Sequence, residues 1–141
     1  MDEGLLVYGI LSYAELGSEE DYLHYLHILF LKHPEDGNLL HLEWETDIKK
    51  AIDYMRTNIL EKEVNWEQFG RMLVGELEKI YENSDLEWFA DRTYRLWKSL
   101  PEQIQDIEPF WTLNGADEPL SWGDAAQSRA LYETIFHYYE T

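Results

Sequence analysis

The chain has 141 residues, of which 29 are Asp or Glu and 11 are Lys or Arg, so its formal charge at pH 7 is −18. Hydrophobic residues make up 45% and aromatic residues 15%, which excludes a disordered acidic chain and predicts a folded core. The excess of acids disfavours direct binding to nucleic-acid phosphates or to an anionic membrane surface, because both require cations.

The N-terminal residues and the absence of cysteine point to a cytoplasmic protein. Met1-Asp2-Glu3 is acidic where a signal peptide would be basic, and the apolar run over residues 5–11 is too short for a membrane span. Without cysteine, neither a disulfide framework nor a thiolate zinc site can form, which is typical of a reducing compartment. We therefore expect neither a signal peptide nor a membrane segment.

The first predicted helix covers residues 19–33. Ser18 followed by three acids resembles a capping box, and Pro34 ends the pattern. Residues 22–31 form the longest apolar stretch and predict a buried helix. After a turn over residues 34–38, residues 39–45 alternate apolar and polar side chains, so a short strand and a helical segment are both possible. We favour the helical segment, because the sequence offers no second strand.

Three amphipathic helices are predicted in the middle of the chain. From Thr46 onward one helix face is apolar, and Asn65 then serves as the N-cap of a helix over residues 66–82. The third helix covers residues 86–100 and ends before Pro101. Gly70 and Gly75 are interpreted as close-packing positions. The predicted apolar stripe of the first of these helices consists of Ile48, Ala51, Ile52, Met55 and Ile59.

Trp88 lies opposite the apolar stripe of the third central helix, with Arg92 and Arg95 on the following turns. This spacing predicts either an exposed cation–π stack or a second packing face.

The C-terminal part combines a predicted loop with a final helix. Residues 102–106 can form one helical turn, but the prolines and glycines that follow predict a long loop to about residue 120. Ser121-Trp122-Gly123-Asp124 has a capping-box pattern and predicts a last helix over residues 122–139. The fold class is therefore all-α: a single compact domain over residues 1–141, with five or six helices and a long loop before the last one.

The negative charge is concentrated at the two ends of the chain. Residues 1–47 hold 11 acids and one base, residues 48–98 hold 10 acids and nine bases, and residues 99–141 hold eight acids and one base. The regional net charges are therefore −10, −1 and −7. Clusters of one sign repel themselves, so this pattern favours surfaces that bind a positive partner over general solubility, which is the simpler interpretation.

Several tryptophans stand beside carboxylates in these acidic regions. Indoles are common at the centres of protein interfaces, and carboxylates bind Lys and Arg, so these segments predict a partner-binding surface. Alternatively, the same indoles pack inward as anchors of loops. The predicted partner-binding residues are Glu43, Trp44, Glu45, Glu108, Trp111, Asp117, Glu118, Trp122 and Asp124.

Catalytic and metal-binding patterns are weak. Glu20, His24 and His27 share a helix face, and a carboxylate with two imidazoles can bind a divalent cation. The spacing is common by chance and brings no further ligand from a recognisable motif, so we predict no metal site. The chain has no glycine-rich phosphate loop, nucleophile elbow or metalloprotease motif. We therefore predict that the protein is not an enzyme and needs no cofactor.

The favoured hypothesis is an acidic inhibitor that covers the positive cleft of a basic partner protein that acts on nucleic acid. In its small size, acidity and lack of cysteine, the chain resembles the immunity proteins of bacterial toxin systems. The likeness is one of composition alone and assigns no residue. It implies binding without catalysis and affinity that falls steeply with salt.

The alternative hypothesis is a helical interaction or regulatory module whose groove, lined by aromatic faces of the last helices, receives a partner segment. A nucleic-acid mimic and a metal-dependent enzyme rank lower. The chain is expected to be a monomer or a homodimer, since the nearly neutral central helices could form a dimer face.

Overall fold

The computed structural model describes residues 2–58 and 64–140, which form helices and contain no strand. This confirms the all-α class, although the helices are more numerous than the five or six expected. None of the helices in this part of the chain is both long and apolar enough to cross a bilayer. Two compact units divide the chain, Met1–Phe69 and Gly70–Thr141. The single domain over residues 1–141 stays a prediction.

Helix α1 (Glu3–Tyr13) is the core element of the first unit. The Asp2 carboxylate caps it by accepting hydrogen bonds from the backbone N–H groups of Gly4 and Leu5, at 2.9 and 3.3 Å. Leu6, Val7 and other apolar side chains of α1 are buried on all its faces, with the helices over residues 19–32 and 48–58 packed against it. Such a helix needs neighbours on several sides, which explains its central place.

Helix α2 (Glu19–Lys32) begins at the predicted cap, since the Ser18 hydroxyl accepts a hydrogen bond from the Asp21 N–H at 3.1 Å. The prediction that residues 22–31 form a buried helix is wrong. Only Tyr22 and Leu26 of this helix are buried. Because α1 fills the core of the unit, α2 packs with one face and leaves Leu23, Ile28 and Leu31 exposed.

Two further helices complete the first unit. Helix α3 (Gly37–Trp44) confirms the helical interpretation of residues 39–45. Helix α4 (Ile48–Asn58) buries Ala51, Ile52 and Met55, as the apolar stripe predicted. Ile59, the last residue of that predicted stripe, lies outside the described residues.

Helices α5 (Trp66–Glu82) and α6 (Leu86–Ser99) match their predictions closely. The Asn65 side chain accepts a hydrogen bond from the Gln68 N–H at 3.0 Å, which confirms it as the N-cap of α5. The predicted stripe of α6 is buried except for Trp97, which is half-buried. The Thr93 hydroxyl of this stripe lies 3.2 Å from the Tyr132 hydroxyl in the core of the second unit.

Helix α7 (Glu102–Gln105) confirms the helical turn predicted over residues 102–106. The long loop predicted after it is wrong, because two short helices occupy that stretch: α8 (Phe110–Gly115) and α9 (Glu118–Ser121). Pro109 and Pro119 indicated a loop, yet Pro109 is the N-cap residue of α8 and Pro119 lies in the first turn of α9. Proline is compatible with a helix start, where its missing N–H needs no partner.

The last helix, α10 (Ala125–Phe136), is shorter at both ends than predicted. Its N-cap is Asp124, whose carboxylate accepts a hydrogen bond from the Gln127 N–H at 3.0 Å. Ser121, the predicted cap, instead donates its hydroxyl hydrogen to the Glu118 carbonyl. The cap therefore lies three residues later than the capping-box pattern indicated.

Candidate protein-binding surfaces

The three tryptophans predicted to bind a partner lie at the surface. Trp44 is 80% exposed, Trp111 is 50% exposed and Trp122 is 64% exposed. None of them is an inward loop anchor, which was the alternative interpretation. An exposed indole loses little conformational entropy on binding for the contact area it supplies, so each of the three is available to a partner.

In the first unit, Trp44 stands between two carboxylates that have local partners. The Glu43 carboxylate lies 3.0 Å from His27 Nδ1 on α2, and the Glu45 carboxylate accepts a hydrogen bond from the Asp47 N–H at 3.2 Å. Burial raises the pKa of Tyr22 to about 12, with further contributions from the charges of Glu43 and Glu45. The negative field of this pair therefore reaches the helix packed beside it.

In the second unit, Glu108 and Trp111 lie at the start of α8. The Glu108 carboxylate accepts hydrogen bonds from both the hydroxyl and the N–H of Thr112. Glu108 therefore satisfies a helix-terminal N–H while keeping its charge at the surface. Trp111, one turn before the end of α8, is the exposed apolar neighbour of this charge.

Asp117 and Glu118 lie at the start of α9. Neither carboxylate makes a capping hydrogen bond to the helix. Asp117 Oδ1 is buried and has no hydrogen-bond partner among the described residues. Burial raises the pKa of Asp117, and the charge of Glu118 raises it further, while a backbone hydrogen bond acts in the opposite direction. The Asp117 carboxylate is thus held in place at an energetic cost and performs no capping role.

Trp122 and Asp124 connect α9 to α10. Trp122 is the C-cap residue of α9, and Asp124 is the N-cap residue of α10. Asp117, Glu118, Trp122 and Asp124 therefore belong to one short segment around α9. Helices α8 and α9 both pack against α10, so α10 positions this segment and also the helix that carries Trp111. Glu43, Trp44 and Glu45 form a separate surface on the first unit.

Sequence reasoning missed four exposed aliphatic side chains of the first unit: Leu23, Ile28 and Leu31 on α2, and Leu40 on α3. The signal was present on a helical wheel. Ile28 and Leu31 lie opposite Tyr22 and Leu26, and Leu23 lies beside that buried face, with His24 and His27 between them. When a helix with two apolar faces packs against a single core, one face is buried and the other remains exposed to solvent.

The weak metal candidates Glu20, His24 and His27 do not form a metal-binding cluster. Across residues 2–58 and 64–140, no group of three or more His, Asp or Glu side chains is arranged to hold a metal ion. Instead, His27 is paired with Glu43 of α3.

The aromatic faces of the last helices form core and not an open groove. In the second unit the ring centroids of Phe89 and Tyr132 lie 5.0 Å apart, and those of Tyr81 and Phe136 lie 5.1 Å apart. Phe89, Tyr132 and Phe136 are all buried. These rings therefore pack against one another in the core. A groove of the kind the alternative hypothesis requires would have to be lined by other side chains.

Trp88 forms the predicted cation–π stack, with the Arg92 guanidinium carbon 4.4 Å from its ring centroid, but it is half-buried and not exposed. Arg92 and Arg95 each also lie 3.9 Å from the Asp91 carboxylate. The cations of α6 are thus balanced by acids and by an indole on the same helix.

Comparisons of the chain with protein-family models, with curated proteins and with solved structures gave no match. The function proposed below therefore rests on the residues and the geometry of the chain itself.

Proposed function

We propose that this protein is an acidic protein-binding inhibitor, of the kind represented by immunity proteins, that neutralises a basic partner by covering the positive cleft with which the partner binds nucleic acid. It acts by binding and not by catalysis. The lack of cysteine agrees with action in the cytoplasm.

The exposure of Trp44, Trp111 and Trp122 beside carboxylates is the observation that carries this proposal. Exposed indoles lower solubility, so they are not expected on an acidic surface that serves only to keep the protein soluble. An interface with a cationic partner uses both groups, because indoles bury area and stack on cations while carboxylates accept charge-assisted hydrogen bonds.

The placement of charge adds to this support. The nearly neutral middle of the chain contains the pairs between Lys79 and Glu76 and between Arg95 and Asp91, at 3.5 and 3.9 Å. The two acidic ends, by contrast, contain one Lys or Arg each. Their fields therefore extend into solvent, where they accelerate encounter with a positive partner.

The test begins with capture of the partner at low ionic strength and its identification by mass spectrometry. The purified partner is then assayed on nucleic acid with increasing amounts of this protein. We expect the captured partner to be basic and its activity to be abolished at a stoichiometric ratio. A partner that is not basic, or that keeps its activity when bound, would show the proposal to be wrong.

Association kinetics then test the electrostatic part of the proposal. The charge-neutral variant combines Glu108→Gln, Asp117→Asn, Glu118→Gln and Asp124→Asn. Asn is as good an N-cap as Asp, so this variant removes charge at residue 124 while keeping the cap of α10. We expect the association rate constant at low salt to fall by about tenfold or more, because steering depends on these charges.

A matched control changes net charge equally at other exposed acids of the chain, through Asp53→Asn, Glu82→Gln, Glu87→Gln and Glu102→Gln. We expect this control to alter the association rate constant far less. Equal effects of the two variants would mean that only total charge matters, and an unchanged rate in the first variant would exclude electrostatic docking at these residues.

A further inference from the structure

The first unit exposes five large apolar side chains on two adjacent helices. Leu23, Ile28 and Leu31 of α2 are 43%, 39% and 65% exposed, and Leu40 and Trp44 of α3 are 44% and 80% exposed. We name these five residues the α2–α3 surface. Exposed apolar groups that lie next to one another on a soluble protein are typical of binding sites.

The contact between His27 and Glu43 joins the parts of α2 and α3 that carry these side chains. His27 lies one turn from both Leu23 and Leu31 on the same helix face, and its Nδ1 lies 3.0 Å from the Glu43 carboxylate. Glu43 in turn precedes Trp44 and lies three residues after Leu40. The two apolar groups therefore flank one interhelical contact on the surface of the first unit.

The α3 side of this surface contains a depression. It has a volume of about 410 Å³ and is lined by Gly37, Leu40, His41, Trp44 and Glu45. The His41 ring stacks on Tyr54 with the centroids 3.8 Å apart, which holds the wall of the depression in place. A single large apolar side chain of a partner fits a depression of this size, with the indole of Trp44 beside it.

Charge decides which kind of partner fits. Residues 19–47 carry eight acids and one base, a net charge of −7. Glu19, Glu20 and Asp21 lie at the start of α2, Asp36 is the N-cap residue of α3 and Asp47 directly precedes α4, all of them exposed. An apolar surface with an acidic rim complements an apolar helix face with a basic rim.

The same charge excludes two other occupants. A second copy of this chain would place two surfaces of net charge −7 against each other, and an anionic membrane would likewise be repelled. From Leu23 to Leu31 the strip spans eight helical steps, or about 12 Å, which two to three turns of a partner helix cover.

From these observations we infer that the α2–α3 surface docks a basic amphipathic helix of the partner protein. The apolar face of that helix covers Leu23, Ile28, Leu31 and Leu40 beside Trp44, and its Lys and Arg side chains meet the acidic rim. This inference rests on the proposed function, because both require a basic partner, and it identifies the segment of the partner that is recognised.

The probe is a synthetic amphipathic helical peptide with Leu on one face and Lys on the other, titrated into the isotope-labelled full chain and followed by NMR and calorimetry. A peptide of the same composition with no apolar face, and a Leu/Glu peptide of the same pattern, are the controls. We expect only the first peptide to bind with shifts centred on α2 and α3. Equal binding of the peptide without an apolar face, or shifts centred on the second unit, would overturn the inference.

The paired variant Leu31→Ser with Leu40→Ser tests the surface directly. We expect it to weaken binding of the peptide by about tenfold or more, as for apolar residues at the centre of an interface. Its matched control is Ile107→Ser with Tyr138→Ser, two side chains of similar exposure in the second unit, which we expect to leave binding unchanged. Leu23→Gln, on a separate turn of α2, is a second variant should the first fail to fold.

The captured partner distinguishes this inference from the proposed function. If the Leu31→Ser/Leu40→Ser variant inhibits that partner with wild-type affinity, the α2–α3 inference is wrong and the proposed function stands. If no basic partner is captured while the Leu/Lys peptide binds α2 and α3, the proposed function is wrong and the docking surface stands.

Discussion

Asp117 is a carboxyl group that the fold holds in an unfavourable place. Its Oδ1 is buried without a hydrogen-bond partner among the described residues, and it caps no helix. Burial raises its pKa, so the charged form at neutral pH is less stable in the folded chain than in the unfolded one. Costly groups of this kind are frequent at binding sites, where stability is given up for function.

We predict that Asp117→Asn raises the denaturation midpoint at pH 7. A raised pKa in the folded state means that the contribution of this residue to stability is fully present below the pKa of an unfolded Asp. That contribution is lost as the pH rises through the folded pKa. The gain from the substitution should therefore be largest at pH 7 and should vanish near about pH 3, where the carboxyl is protonated in both states.

Chemical denaturation at both pH values is the measurement, and Glu118→Gln is the control. Glu118 is exposed, so its substitution should change the midpoint little. A lower midpoint for Asp117→Asn at pH 7 would contradict the prediction. If the same variant also slows association with the partner, then the Asp117 carboxylate both destabilises the fold and contributes to binding.

Helix α5 contains two glycines that sequence reasoning treated alike and that the structure separates. At Gly70, a methyl group would overlap the Tyr139 hydroxyl and lie 3.2 Å from the Phe110 ring, so a larger residue requires Tyr139 to move. At Gly75, nothing lies within 4 Å of such a methyl group. The interpretation as a close-packing position is confirmed for Gly70 and wrong for Gly75.

We predict opposite effects of alanine at these two positions. Gly75→Ala should stabilise the protein by about 0.5–1 kcal/mol, since alanine favours a helix over glycine. Gly70→Ala gains the same propensity but must displace Tyr139 and crowd Phe110, and overpacking of this kind costs about 1–3 kcal/mol. Thermal and chemical denaturation of the pair would measure both signs, and a stabilised Gly70→Ala variant would refute the close approach.

At the scale of the whole molecule, the charge of −18 acts on folding and on binding in opposite ways. Like charges crowded within each acidic end of the chain repel one another and destabilise the folded state, so salt stabilises the free protein by screening this repulsion. The same charges attract a basic partner, so salt weakens the binding of that partner by screening the attraction.

We therefore predict that raising NaCl from ~0.02 to ~0.3 M increases the melting temperature of the free protein while weakening its affinity for the partner, because the Debye length falls below about 10 Å over this range. Calorimetric melting and binding titrations in the same buffers measure the two trends. A melting temperature that falls with salt would mean that attractive ion pairs outweigh the repulsion.

Local pattern was sufficient to predict the helices over residues 48–58, 66–82 and 86–99, with the caps at Ser18 and Asn65. Their apolar residues recur at the helical period, and a cap is a contact between residues three apart, so both are properties of short segments. The charge at the chain ends and the partner-binding residues chosen from it are likewise visible in the sequence, although their role stays a prediction.

Tertiary structure alone decided which apolar segment occupies the core. Residues 5–11 and 22–31 both look able to be buried, but α1 fills the core of the first unit and leaves Leu23, Ile28 and Leu31 of α2 at the surface. It also decided that Trp44, Trp111 and Trp122 point outward and that Pro109 and Pro119 begin helices. Periodicity is a local property, whereas burial results from competition among distant segments for one core, and only the folded chain settles that competition.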